Sequence, residues 1–436
     1  MTGRCMNVKV LLASQAIAGH FNPLTGIAVA LKEAGHDVAF YTGNTFAGKL
    51  EELGVRHFPF VRAIEHTADN LNELYPQRAR LKGPLAIRFD GEKVFASNVS
   101  NFYRDVCDVH AAFAFDVIVI DNSMFIQRLV SALIGKPVVS FVPIGNMESD
   151  PWVPPLFFGF LPAKGRRQKL LHAGARLVSK VVVAKPALDS YTRQLQQFGL
   201  VTASNATLTD EPYKFSDAVI QTGTASLDFP RSRTNPKVKY VGALLPYRPA
   251  TAQPAAGLPA GYARTVVVTQ GTVDNKDPNK LIVPALEALK DRDMLLVVAT
   301  GGSGTAELRQ RFPRPNIVVE DFVDFAAVLP LADAFVSNGG FGGVLLSLAH
   351  GVPVVVAGIN EGKSDVNARV EYARVGINLH TEAPTAEAVG AAVDAVLGDP
   401  LWRARAQDMR RQFESQDGCA AAVGIIEDAA RAARAR

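Results

Sequence analysis

Short, unbroken apolar runs alternate along this chain with stretches in which apolar residues recur every three or four positions. "VKVLLAS" begins the series. "LTGIAVALKEAGH" then sets Leu24, Ile27, Ala28, Leu31 and Ala34 on one helical face, and "DVAFYTG" returns to an apolar run. "DVIVIDNS", the helical "FIQRLVSALIG" and "KPVVSFVP" repeat the plan. A strand that is apolar at every position is covered on both faces, so the pattern predicts parallel sheets with crossover helices.

A segment rich in proline and alanine, "LPYRPATAQPAAGLPAG" (245–261), interrupts the alternation and reads as a linker. Beyond it the plan restarts with "RTVVVTQG", a helix near 278–290, "MLLVVATGG", "NIVVEDFV", "AFVSNGG", "PVVVAG" and "GINL". The expected organisation is one α/β unit over 1–245, a linker over 246–261 and a second α/β unit over 262–405. Helices within 406–436 are expected to return to the first unit. Such sheets bind ligands at the carboxyl ends of their strands, and two of them face to face enclose a cleft. An irregular stretch, 144–165 ("IGNMESDPWVPPLFFGFLPAKG"), is rich in Pro, Phe and Trp. It reads equally as a covering loop and as a greasy wall of that cleft.

Composition narrows the picture. A chain of 436 residues exceeds one ordinary core. Its net charge of +4 is too mild for a nucleic-acid binder, and the short basic runs "KGRRQK" and "RAARAR" read as solvated. Cys5, Cys107 and Cys419 are far apart and show neither disulfide nor zinc spacing, which suits a reducing compartment. No apolar run approaches the roughly 18 residues of a membrane helix, and the first one is a short β-rich strand rather than a signal peptide. Cytoplasmic residence without membrane insertion is expected, so the sequons at Asn98 and Asn205 carry no weight.

The chemistry concentrates in "SNGGFGGVLLSLAHG", where a strand becomes a helix across Asn338, Gly339, Gly340, Phe341, Gly342 and Gly343. Free N–H groups and the dipole at a helix N-terminus attract phosphate, and glycine lets it approach. Close helix–sheet packing selects glycine too. The spacing is neither the dinucleotide fingerprint nor a P-loop. "TGGSGT" (300–305) reads as a turn bordering the same cleft.

The run from "VEDFVDFAAVLPLADAFVSNGGFGGVLLSLAHGVPVVVAG" through "NARVEYARVGINL" resembles the donor-binding signature of family 1 glycosyltransferases. These include UDP-glycosyltransferases and macrolide glycosyltransferases. "GHFNPLTGIAVALKEAGHDVAFYTG", "KYVGALLP" and "VVVTQGT" resemble further segments of that family in the same order, so the resemblance covers nearly the whole chain. It implies the GT-B fold, with two facing Rossmann-like domains, the first for the acceptor and the second for the nucleotide-sugar donor.

Carried onto this sequence, the resemblance makes His20 the catalytic base and Asp121 the acid that orients it. A structural loop histidine and a helix N-cap are the respective alternatives. Phe322 takes the place of an aromatic, usually Trp, that stacks on the nucleotide base, with the Val323 backbone at the base edge. Gly19, Thr269, Gly271, Thr272, Asn338, Gly340 and the amides of Gly342, Gly343 and Val344 would surround the diphosphate. Phe21, Asn122, Trp152 and Phe157 would line the acceptor pocket.

Three positions depart from the family pattern. Asn338 replaces the phosphate-binding His, Leu346 replaces the Glu that holds the ribose, and the sugar-gripping Asp-Gln pair is missing. Glu361, Lys363 or Asp365 in "INEGKSD" stand nearby as substitutes. The resemblance implies no metal and no cofactor besides the nucleotide sugar: UDP-glucose first, with dTDP- and GDP-sugars open. The expected reaction is inverting transfer of a hexose to a hydroxyl of a small hydrophobic phenol, macrolide, sterol or lipid, by a monomer or homodimer. An epimerase or hydrolase on the same fold, or an inactive auxiliary subunit of a partner transferase, are the competing readings.

Overall fold

The computed structural model describes residues 7–67, 70–81, 83–203, 206–248, 257–271, 275–360 and 362–435. The first half carries strands β1 (Lys9–Ala13), β2 (Asp37–Thr42), β3 (Arg56–Pro59), β4 (Val117–Asp121), β5 (Val138–Val142), β6 (Ala218–Gln221) and β7 (Val238–Tyr240). The second carries β8 (Arg264–Thr269), β9 (Met294–Ala299), β10 (Ile317–Glu320), β11 (Ala334–Ser337), β12 (Val354–Val356) and β13 (Gly376–Asn378). The helices that matter below are α1 (Ala18–Glu33), α2 (Val99–Phe113), α3 (Arg166–Val178), α4 (Phe341–Ala349), α5 (Lys363–Ala373), α6 (Pro400–Glu414) and α7 (Gly418–Arg434).

All pairings within the two sheets are parallel, in the orders β3-β2-β1-β4-β5-β6-β7 and β10-β9-β8-β11-β12-β13. Alternate residues of one strand enter different cores: Leu11 and Ala13 one, Val10 and Leu12 the other. The second sheet divides likewise, with Val266 and Val268 on one face and Val267 on the opposite one. Continuous apolar strands follow from this double burial. In each sheet the order reverses beside the first strand, between β1 and β4 and between β8 and β11. A crevice opens at such a point, at the carboxyl ends of the strands.

Of the expected pair of returning helices the second enters the core of the first domain, while α6 lies at the boundary, where Met409 and Gln412 touch Thr224 and Ser226 of the first domain. Helix α6 places Ala406, Met409 and Phe413 in the core of the second sheet. The chain then crosses, and α7 lays Ala422, Val423, Ile426, Ala429 and Ala430 against Val8, Phe21 and Ile27. Small residues allow that close approach: Cβ on Gly418 would lie 2.5 Å from the Val241 carbonyl oxygen. Much of the proline-rich linker, 249–256, lies outside the described residues.

The two domains are latched across the cleft by buried charge. Arg369 of α5 bonds Asp228 of the first domain at 2.9 Å and donates to the Asn146 carbonyl at 3.1 Å. Asp365, one turn earlier, accepts the N–H groups of Phe157 and Gly159 at 2.7 and 3.1 Å. The loop at 144–165 is thereby pinned to the second domain.

Candidate active site

Helix α1 begins shortly after β1, and its first turn carries His20. The Nδ1 atom of His20 lies 2.8 Å from Oδ2 of Asp121, the last residue of β4. Asp121 is fully buried and accepts three further bonds, from Gln15 N–H (3.2 Å), Ser123 N–H (2.9 Å) and Ser123 Oγ (3.0 Å). A carboxylate only accepts, so Nδ1 carries the proton and Nε2 keeps its lone pair. The His20 side chain retains 17% exposure, and no partner among the described residues occupies Nε2.

Burial opposes the charged imidazolium, but the Asp121 charge and hydrogen bond outweigh it and raise His20 above its ordinary 6.5. Burial also opposes ionisation of Asp121. The His20 charge and hydrogen bond, with the Ser123 and Gln15 amides, overcome it and hold that carboxyl below its usual range. The two readings of Asp121 prove compatible: one oxygen caps the short turn Asn122–Met124 while the other orients His20. Gln15 and Ser123, which build this support, carry no sequence signal beyond being polar residues just past strand ends.

Across the cleft the second switch point gathers Thr269, Gly271 and Asn338. The register pairs Ser337 with Thr269, so the turns after β8 and β11 start side by side. The Asn338 side chain donates to the Gln270 carbonyl and accepts the Gly340 N–H at 3.3 Å, so it ties the two turns together. Thr269 Oγ1 accepts the Gly271 N–H at 3.1 Å. Lys363 is buried at the start of α5, its Cδ beside Gly358 next to the Asn338 carbonyl. Thr272 and Glu361 lie outside the described residues.

The glycines divide by role. Gly339 has φ +83°, and a Cβ there would meet Asn367 Oδ1 at 1.8 Å; packing and backbone both require it. Gly342 has nothing within 4 Å of its Cβ direction, and Gly343 makes only ordinary contacts. Their N–H groups open α4 with no acceptor among the described residues. Phe322 is 74% exposed, with its ring edge near Gly302 of the "TGGSGT" turn and Val323 half-buried behind it.

Several expectations need correction. The Val344 N–H already donates to Gly340 at 3.0 Å, so it is the first closed bond of α4 rather than a free amide. Phe21 is fully buried and stacks on Phe46 at 4.0 Å, because the α1 period that exposes His20 turns the next residue into the core. Asn122 is buried with its amide toward the Met147 sulfur, and Trp152 stands in solvent with the Lys169 ammonium above its ring. Phe157 is bound through its backbone to Asp365, which is therefore occupied at the domain interface and not free for a sugar. Gly19 is exposed beside His20. Among the described residues no group of His, Cys, Asp and Glu is placed to hold a metal ion, and no helix is long and apolar enough to cross a membrane.

Comparison with known proteins gives this geometry its family. Residues 285–428 match the C-terminal domain model of erythromycin biosynthesis protein CIII-like proteins. The chain is 32% identical over 425 residues to 4'-demethylrebeccamycin synthase of Lentzea aerocolonigenes, covering 97% of this chain and 99% of that one. It is 28% identical to UDP-glycosyltransferase 2 of Phaeomoniella chlamydospora, over 97% and 96% of the two chains. Among solved structures the glycotransferase of kitacinnamycin superposes with a TM-score of 0.75 at 20% identity, over 97% and 99%. Two parallel α/β domains facing across a latched cleft, together with full-length kinship, place the chain in the family 1 glycosyltransferases of GT-B fold.

Proposed function

We propose that this glycosyltransferase moves a hexose, glucose from UDP-glucose in the first instance, to a hydroxyl of a small hydrophobic acceptor with inversion at the anomeric carbon. The observation that carries the reading is the His20–Asp121 pair, held at the carboxyl end of β4 with Nε2 of the imidazole uncommitted. Nε2 takes the hydroxyl proton as the oxygen bonds the anomeric carbon, and the sugar–phosphate bond breaks on the opposite face. Asp121 stabilises the imidazolium formed, as the orienting acid does in hydrolase triads. The departing nucleoside diphosphate is received at the N-terminus of α4 by the Gly342 and Gly343 amides.

Phe322 stacks on the base, and Lys363 supplies a positive charge in the neighbourhood of Asn338. The UDP named in the relative from Phaeomoniella chlamydospora supports UDP as donor nucleotide. Phenolic, macrolide, sterol and lipid-like hydroxyls all suit the His20 chemistry. Calorimetric titration with UDP, dTDP and GDP tests the donor half. Micromolar binding of one diphosphate identifies the base; no binding by any of them removes the transferase reading of the glycine turn and returns attention to an auxiliary role.

A further inference from the structure

One face of the molecule is more apolar than a solvated surface requires. Helix α3 continues without interruption through a π-helical stretch, Ser179–Ala184, into the helix Lys185–Gln196. Over 166–184 only the inner positions His172 and Val183 are buried, with Ala175, Arg176, Ser179 and Ala184 partly covered; burial becomes regular only beyond, at Ala187, Ser190, Tyr191 and Leu195. The outer face presents Leu170 (74% exposed), Leu177 (64%) and Val181, flanked by Leu171, Val178 and Val182, all exposed. Exposed Leu85 adds to it from the helix Pro84–Asp90, which packs beside the π-helical stretch and is tied to it by Arg88 donating to the Val182 carbonyl at 3.1 Å. Scattered apolar residues on a surface mean little, but a contiguous helical face of them marks a docking site.

The charge pattern decides between occupants. From residue 151 through 188 the sequence holds seven Lys or Arg and no Asp or Glu. Arg166, Arg167, Lys169, Lys180 and Lys185 of this stretch are exposed around the apolar face. Trp152 stands at one end, more than half exposed, under the Lys169 ammonium at 5.9 Å. Near the other end an open hollow of about 370 Å³ is lined by Arg88, Lys185 and Arg193 against Glu92 and Asp189, a rim of net positive charge. A symmetric contact with a second copy would bring these like charges together. A surface of anionic lipid headgroups over acyl chains neutralises them and covers the apolar face.

We propose that this face rests on an anionic membrane surface. The outer residues of α3 and its continuation enter the boundary between headgroups and acyl chains, the flanking Lys and Arg pair with lipid phosphates, and Trp152 sits at headgroup level. The helix lies in the plane of the surface and does not cross it. This inference stands independently of which sugar and acceptor the enzyme uses.

The test is sedimentation of the full-length protein with vesicles of phosphatidylcholine alone and of phosphatidylcholine with about one-third phosphatidylglycerol. The wild type is expected to bind the anionic vesicles, more weakly as salt rises, and to leave the neutral ones largely in solution. Leu177→Glu/Val181→Glu should lower that binding by about tenfold or more, and the milder Leu177→Ser should lower it less. Both variants should keep the wild-type thermal transition, since the positions are exposed. Trp152 emission should shift to the blue on adding anionic vesicles, and the shift should vanish in Trp152→Phe. Absence of binding to anionic vesicles overturns the proposal. So does a wild-type dimer that Leu177→Glu/Val181→Glu converts to monomer without any vesicle binding, which would give the face to a second copy of the chain.

Discussion

The His20 imidazole and the Asp121 carboxylate meet at 2.8 Å although they stand 101 positions apart in the chain. Parallel pairing of β1 with β4 brings them together, because the register sets Ala13 opposite Ile120 and leaves Asp121 at the open end of the strand. On this account His20→Ala should lower transfer by about a hundredfold to ten-thousandfold and leave diphosphate affinity unchanged. Steady-state kinetics alongside calorimetry separate the two effects, and equal losses in both would place His20 in donor binding instead.

The glycines of the donor turn should respond unequally. Gly339→Ala meets both a left-handed backbone and the Asn367 side chain, so a stability loss on the order of 1–3 kcal/mol is expected in thermal unfolding. Gly342→Ala points into open space and should unfold like the wild type while binding the diphosphate more weakly. Matching losses of stability in the two variants would refute that division of roles.

Phe322 is exposed without a structural task that would explain it. Phe322→Ala should weaken nucleoside diphosphate binding by a stacking contribution of about 1–3 kcal/mol, and Phe322→Trp should restore or improve it. Calorimetry reads both, and an unaltered affinity in Phe322→Ala would remove the ring from the donor site.

The Arg369–Asp228 pair is buried on both sides. Removing one partner leaves an unpaired charge, so Arg369→Met should cost about 3–5 kcal/mol, whereas Arg369→Met/Asp228→Leu should recover part of the loss. Thermal unfolding of the single and double variants checks this, and simple addition of the two single losses would contradict it.

What could be read from the sequence follows physical lines. Apolar runs without polar alternation require two covered faces, so the strands and their parallel pairing were legible from "VKVLLAS" or "MLLVVATGG" alone. His20 and Asp121 were legible as residues just past strand ends in a family pattern. Which polar group meets which was not. Nothing in "SQA" announces that the Gln15 amide supports Asp121, and nothing in "NARV" announces that Asn367 lies against Gly339. The same limit explains Phe21 and Val344, since a position beside a functional residue says nothing of the direction its side chain or amide takes. It also explains α6: its apolar stripe packs on the helices Phe341–Ala349 and Ala386–Gly398 while Met409 and Gln412 reach Thr224 and Ser226 of the first domain, and only the fold determines those neighbours.

The pH dependence of kcat/KM for sugar transfer, compared between the wild type and Asp121→Asn, shows whether Asp121 poises His20 as the base. The base acts unprotonated, so activity must rise with pH through the His20 ionisation, which Asp121 raises above 6.5 in the wild type. Without the carboxylate's charge, burial prevails and that ionisation falls. The acidic limb of Asp121→Asn should therefore move to lower pH, with the plateau reduced by about a hundredfold to ten-thousandfold. Profiles whose acidic limbs coincide in the two proteins would contradict a base poised by Asp121.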